Sequence, residues 1–99
     1  MHKFLYPYTD VSKRDRKHKK LYGPKAEHYI FSFDNGYGAS VIRNKVSYGH
    51  EDGLYELALL KDGTLATEPL FGGQLVMGYL NLNEVNSTLS AIAALPASH

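Results

Sequence analysis

The residues that most restrict the fold are 28–33 and the turn that follows them. In this stretch aromatic residues alternate with other side chains, which is typical of a β-strand that buries one face. Asn35-Gly36 comes directly after it, and Asn-Gly is the strongest local signal for a type I′ hairpin turn, which needs a positive φ at both central residues. Residues 39–43 are therefore expected to return antiparallel, with Gly38 marking a bulge or a close backbone approach.

A second hairpin is predicted around residues 61–63, a Lys-Asp-Gly turn signal. Residues 54–60 form an apolar run before it, and residues 64–67 would return as a short strand. Residues 68–78 contain a proline and a Gly-Gly pair, so we expect them to be mostly irregular, although residues 75–77 could form a short strand or a helical turn. The sequence thus predicts about four strands, the third of which turns three side chains to the core: Tyr55, Leu57 and Leu59.

The end of the chain predicts one helix, from about residue 82 to residue 95. Asn81 or Asn83 can cap its start, Glu84 suits its first turn, and Pro96 stops it. Apolar residues recur at helical spacing, at Leu82, Val85, Leu89 and Ile92. Because neither a sheet nor an amphipathic helix buries its apolar side alone, we predict an α+β fold in which two hairpins are packed by this helix.

Charge is divided unevenly along the chain. Up to His28 there are eight Lys and Arg residues against three acidic ones; from Tyr29 onward there are three against seven. The first 27 residues also hold few aliphatic side chains. We therefore expect a basic N-terminal arm (residues 1–27) and a single α+β domain (residues 28–99), with the core built from residues 28–95.

Composition excludes some classes of protein. The chain has no cysteine, so it forms no disulfide and no cysteine metal site. Its 99 residues suit one domain, and no apolar run has the length of a signal peptide or membrane span. We expect an unprocessed cytoplasmic protein that relies on packing for stability, with no bound cofactor and no membrane partner.

Several sequence blocks occur in an order that resembles a family of small uncharacterised proteins encoded by tailed bacteriophages. They are residues 33–43 (FDNGYGASVIR), 47–49 (SYG), 53–60 (GLYELALL) and 78–80 (GYL), followed by the helix that opens with Glu84-Val85. The resemblance covers roughly residues 29–95. It implies a context, the cytoplasm of an infected bacterium, in which such small proteins often act by binding and redirecting a host enzyme, a defence complex or nucleic acid.

The resemblance has two gaps. The family has an acidic segment before the Gly-Tyr-Leu block, where this chain has residues 70–74 (LFGGQ). The basic arm also lies outside the similar region. A shared interaction surface is therefore not implied in either place.

Residues with catalytic or metal-binding chemistry do not form a recognisable motif. A metal could be held by His28, His50 and a carboxylate such as Glu51 or Asp52, but no histidine pair has helical ligand spacing, and a surface histidine is the ordinary explanation. Residues 35–38 resemble a glycine-rich phosphate loop without its remaining signature, and the hairpin accounts for both glycines. Ser40 and Ser47, near His50 in sequence, have no nucleophile context. We predict no catalytic residues and no metal site.

The eight tyrosines are the more informative excess. Tyr29, Tyr55 and Tyr79 are expected to help build the core, whereas five others lie in the arm, turns and loops. Tyrosine is favoured at interfaces because it adds a large contact area with a polar end. The alternative for Tyr6 and Tyr8 is that they fold back over the open face of the sheet. The predicted partner-binding residues are Lys13, Arg14, Arg16, Lys17, Lys19, Lys20, Tyr6, Tyr8, Tyr22, Tyr37 and Tyr48.

Two functions fit these features. The first is a non-catalytic binding protein, an inhibitor or modulator of a host protein or nucleoprotein complex with an acidic surface, which the arm and the tyrosines would contact. The second is nucleic-acid binding through the basic arm, in which the phosphate backbone supplies the affinity. The near-neutral total charge and the absence of a familiar recognition module favour the first.

Overall fold

The computed structural model describes residues 3–15, 19–23, 25–47, 49–66 and 76–97. They form an antiparallel sheet packed by one C-terminal helix, which confirms the predicted α+β class. The elements in chain order are β1 (Thr9–Asp10), the helical turns α1 (Ser12–Asp15) and α2 (Lys19–Tyr22), β2 (Glu27–Ser32), β3 (Tyr37–Arg43), a 3-10 turn (His50–Asp52), β4 (Tyr55–Lys61), β5 (Thr64–Leu65), β6 (Val76–Leu80) and α3 (Leu82–Ala93).

The described sheet has six strands rather than about four. Strands β1 to β5 follow in chain order, and β6 also pairs with β4. β5 pairs with the C-terminal end of β4, while β6 pairs with its N-terminal half, so both lie along the edge that β3 leaves open. β1 was not predicted, because it is two residues long and shows no periodicity. β6 begins in the segment expected to be mostly irregular, where a short strand was an alternative for residues 75–77, and continues to Leu80. Residues 67–75 lie outside the described ranges.

Both predicted hairpins are present, but the first has a different turn type from the one predicted. In the first, the Gly36 amide donates to the Phe33 oxygen at 3.2 Å, and Gly36 has φ 88° whereas Asn35 does not have a positive φ. This is a type I turn followed by a left-handed glycine, so the predicted type I′ turn at Asn35-Gly36 is wrong. Positive φ at two consecutive residues occurs instead in the second hairpin, at Asp62 and Gly63.

Helix α3 begins with the capping box that its sequence offers. The Asn81 side chain accepts from the Glu84 amide, and the Glu84 carboxylate accepts from the Asn81 amide. Val85, Leu89 and Ile92 are fully buried against the sheet. The helix ends at Ala93, two residues earlier than predicted.

The core lies between α3 and the face of the sheet that carries Tyr29, Phe31, Val41 and Leu57. Tyr55, Leu57 and Leu59 face it as predicted. Two expectations about the core were wrong. Tyr79 is 60 % exposed because it lies on the edge strand β6, and Phe4, from the predicted arm, is only 3 % exposed inside the cluster.

The basic N-terminal arm is not confirmed as a segment outside the fold. Phe4 makes edge-on contacts with Phe31 and Tyr29 at ring distances of 5.3 and 5.2 Å. Tyr6 and Tyr8 are half-buried against the same cluster, which is the fold-back alternative for these two residues. β1 then adds a strand to β2, so residues 3–10 belong to the α+β domain.

Candidate functional site

A cavity lies at the end of the sheet where β2 begins and β3 ends. Its volume is about 590 Å³. The turn α2 closes one side, since the Lys45 amide after β3 donates to the Tyr22 oxygen at 2.8 Å. We call this cavity the basic pocket; it is lined by Tyr22, Gly23, Lys25, Glu27, Arg43, Asn44, Lys45 and Gly53.

Glu27 is the only acidic residue among those lining residues, and its carboxylate is already satisfied. Oε1 accepts from Lys3 Nζ and from the Tyr29 hydroxyl, both at 2.7 Å, and Oε2 accepts from Arg43 Nε at 2.6 Å. Burial alone would raise the pKa of Glu27, but the hydrogen bonds from Lys3, Tyr29 and Arg43 outweigh it and lower the pKa. Glu27 therefore stays ionised and engaged.

Arg43 forms a fixed wall of the basic pocket. Besides its bonds to Glu27, it donates from Nη1 to the Gly53 oxygen at 2.9 Å. Its guanidinium carbon lies 4.5 Å from the centre of the Tyr55 ring, a cation–π arrangement. Because these contacts occupy the guanidinium on several sides, Arg43 gives the basic pocket its charge and shape rather than free hydrogen-bond donors.

The same cluster holds the N-terminal segment on the sheet. Lys3 Nζ donates to the Tyr55 hydroxyl at 2.9 Å as well as to Glu27. Burial acts to lower the pKa of Lys3, but its hydrogen bonds to Glu27 and Tyr55 raise it above the ordinary value. Burial, with the hydrogen bond to Glu27, raises the pKa of Tyr29 to about 12. Two cations surround one carboxylate here, so the cluster has a net positive charge.

Lys25 and Lys45 supply the available charge. Both side chains are exposed, and neither forms an ion pair with any residue in the described ranges. Glu51 and Asp52 precede Gly53 in the chain, but they do not line the basic pocket. The pocket is therefore electropositive, with two lysines at its opening and a neutralised carboxylate in its wall.

Asn44 is the unusual group in this wall. It is only 7 % exposed, and its Oδ1 accepts from the Val46 amide at 3.0 Å, which fixes the orientation of the side chain. Its main chain is held by Ser47, whose hydroxyl accepts from the Asn44 amide and donates to the Asn44 oxygen. The Asn44 Nδ2 group has no acceptor among the described residues, although a buried amide normally finds one.

The predicted partner-binding residues do not form one surface. Tyr22 lines the basic pocket, whereas Tyr6, Tyr8 and Tyr37 are half-buried against the core. Three basic residues of the predicted set have side chains that the structure describes: Lys13, Arg14 and Lys20. All three are exposed, and none forms an ion pair with a described residue. Predictions for Arg16, Lys17, Tyr48 and the Lys19 side chain lie outside the described part of the chain.

Tyr22 is the one residue of the predicted set among the described residues that line the basic pocket. Lys25 was counted only as part of the arm, and Asn44 and Lys45 follow a strand without any motif. The hydrogen bond from Lys45 to Tyr22 shows that the segments before β2 and after β3 meet, which no local pattern reports.

Other kinds of site find no support in the described residues. They contain no group of three or more His, Asp or Glu side chains placed to hold a metal ion. The Asn35-Gly36 turn leads into β3 rather than into a helix, so it lacks the geometry of a phosphate loop. In the described ranges, no helix has the length and apolar character needed to cross a bilayer.

Comparison of the chain with models of protein families, with curated protein sequences and with solved structures finds no match.

Proposed function

We propose that the protein acts without catalysis, by binding an acidic surface of a partner protein. The observation that carries this proposal is the basic pocket, whose two lysines, Lys25 and Lys45, are exposed and unpaired among the described residues. Complementary charge accelerates encounter and orients a partner. The pocket is therefore the expected centre of the contact.

The chain leading into the pocket extends the positive surface. Lys13 and Arg14 lie on α1 and Lys20 lies on α2, and all three side chains are exposed. The turn α2 ends at Tyr22, in the pocket wall. Charge from the basic segment therefore adds to that of Lys25 and Lys45, without the segment having to leave the domain.

Two exposed apolar side chains favour a protein partner over a phosphate backbone. Leu21 is 52 % exposed and precedes Tyr22; Val46 is 55 % exposed and follows Lys45. The Tyr22 oxygen and the Lys45 amide are hydrogen-bonded, which brings the two apolar residues to the same end of the sheet. Apolar side chains among charged ones are typical of protein interfaces.

Nucleic-acid binding is the second candidate. It rests on the same exposed cations, Lys13, Arg14 and Lys20, which could neutralise phosphates. This function makes no use of Leu21 and Val46. It also predicts that the affinity falls steeply as salt is added. For each phosphate contact, the affinity should fall about tenfold when the salt concentration rises tenfold.

The resemblance to small phage proteins is the reason to seek the partner among bacterial host proteins. We expect the encounter in the bacterial cytoplasm. The experiment is affinity capture from bacterial lysate, with and without nuclease, using the wild type, Lys45→Glu and Lys61→Glu. Lys61→Glu is the control. It makes the same charge change at the last residue of β4, beside the start of β3, whereas Lys45 follows the end of β3.

The proposed function predicts one stoichiometric protein that survives nuclease, is lost with Lys45→Glu and is kept with Lys61→Glu. Release by nuclease would support the second candidate instead. Capture of the same protein by Lys45→Glu as by the wild type would remove the basic pocket from the contact.

A further inference from the structure

The Asn44 side-chain amide, which has no acceptor among the described residues, indicates what enters the basic pocket. We propose that the pocket receives one carboxylate side chain from an acidic segment of the partner, with Asn44 Nδ2 donating to it and Lys25 and Lys45 neutralising it. This inference rests on the proposed function and specifies the group that the partner inserts.

The groups of the described residues do not provide the acceptor. Both oxygens of Glu27, the acidic lining residue, are engaged by Lys3, Tyr29 and Arg43. The Asn44 oxygen is used by Ser47, and the Asn44 Oδ1 by Val46. A buried donor left without an acceptor is costly, so an incoming acceptor gains by meeting it.

The charge around Asn44 selects an anion. Lys25 and Lys45 line the same pocket and are exposed, and the cluster of Lys3, Glu27 and Arg43 adds a net positive charge. A neutral acceptor would satisfy the amide but not the lysines. A carboxylate does both, since hydrogen bonds to an ionised acceptor are stronger than those between neutral groups.

A side chain of a partner protein fits better than a phosphate of nucleic acid, because exposed apolar residues adjoin two of the lining residues in the chain. Leu21 and Val46 are exposed next to the lining residues Tyr22 and Lys45. They can pack against the residues that flank an Asp or Glu in a peptide. A sugar-phosphate backbone offers them little apolar contact.

The probe is a hexapeptide of alternating leucine and glutamate, which offers carboxylates with apolar neighbours. It is titrated into ¹⁵N-labelled full-length protein and followed by NMR at constant ionic strength. The key variant is Asn44→Asp, which keeps an oxygen to accept from the Val46 amide and replaces the donor by a second acceptor. The matched control is Asn83→Asp, the same change at an exposed position in α3. The Val46 amide signal reports whether the local fold is intact.

We expect the peptide to shift the Asn44 side-chain amide signals, and we expect Asn44→Asp to bind it at least tenfold more weakly while Asn83→Asp binds as the wild type does. Equal binding by Asn44→Asp with an unchanged Val46 signal would overturn the inference. If Lys45→Glu still lost the captured protein in that case, the proposed function would stand.

Two further arms identify the source of the oxyanion. Sodium phosphate and a hexathymidylate oligonucleotide are titrated under the same conditions. Weaker shifts of the Asn44 side chain with both than with the peptide support the proposal. A tighter response to phosphate would make the pocket a site for a free anion, and a tighter response to the oligonucleotide would make it a nucleic-acid contact; either result would overturn the inference.

Discussion

The side-chain amide of Asn35 donates to the main-chain oxygen of Ile92 at 2.8 Å and so joins the first hairpin turn to the end of the helix. The same nitrogen lies 3.0 Å from the Leu95 oxygen and 3.3 Å from that of Ala93. Asn35 Oδ1 meanwhile accepts from the Tyr37 amide. One side chain therefore donates to carbonyls at the end of the helix, where intrahelical donors run out, and also holds the turn.

Replacing this residue separates its two roles. Asn35→Asp keeps the acceptor for Tyr37 but removes the donors and puts a negative charge beside the negative end of the helix dipole. We expect a loss of about 1–3 kcal/mol in the free energy of unfolding, measured by urea denaturation. Asn83→Asp, in the first turn of α3, is the control and should cost less than about 0.5 kcal/mol. A similar small cost for Asn35→Asp would show that the cap contributes little.

The first hairpin shows how far local sequence determines structure. Asn35-Gly36 predicted the position of the turn because both residues suit turns, and this held. The predicted turn type was wrong, because Asn35 is positioned by its bonds to the helix end rather than by its own preference for positive φ. That contact joins residues 57 positions apart, and no local pattern reports it.

The candidate site illustrates the same limit. Charge counting found the basic segment, because formal charge can be read from residue types. It missed that Lys3 pairs with Glu27 and that Phe4 is in the core, and it therefore treated residues 1–27 as one arm. Asn44 could not be found from sequence at all, because its significance depends on burial and on the lack of an acceptor among the described residues.

Gly38 should be intolerant of even one added methyl group. A Cβ there would lie 2.1 Å from the main-chain oxygen of Phe31, which is held in the β2–β3 ladder. Replacing glycine by alanine without strain usually stabilises a protein by about 0.4–1 kcal/mol through the unfolded state. We expect the opposite sign for Gly38→Ala, a loss of about 1–3 kcal/mol as in other overpacked sites. Urea denaturation gives the sign, and a stabilised variant would contradict the close approach.

Glu27 should make the stability of the protein depend on pH in the acid range. Its pKa is lowered in the folded state from the ordinary 4.5, so its contribution is present above pH 4.5 and is lost as the pH falls through the folded value. Glu27→Gln should therefore be less stable than the wild type at pH 7, and the difference should shrink below pH 4.5.

The measurement is the denaturation midpoint of both proteins between pH 7 and pH 3. Glu51→Gln serves as the control, because Glu51 is exposed and forms no ion pair with other described residues. The wild type and Glu51→Gln should follow the same curve. A gap between Glu27→Gln and the wild type that stays constant with pH would mean that the charge of Glu27 does not stabilise the fold.

Two neighbouring residues test whether the N-terminal segment belongs to the domain. Phe4 is 3 % exposed among four aromatic rings, whereas Leu5 is 76 % exposed. Phe4→Ala should cost about 3–5 kcal/mol, because it removes a buried ring and leaves a cavity. Leu5→Ala should cost less than about 0.5 kcal/mol, since its side chain is in water. Equal effects of the two substitutions in urea denaturation would mean that the N-terminal segment is a separate arm and not part of the domain. If the two effects differ as expected, deletion of residues 1–27 would remove part of the core. Loss of binding after that deletion would then report unfolding, so only point substitutions such as Lys45→Glu can locate the contact.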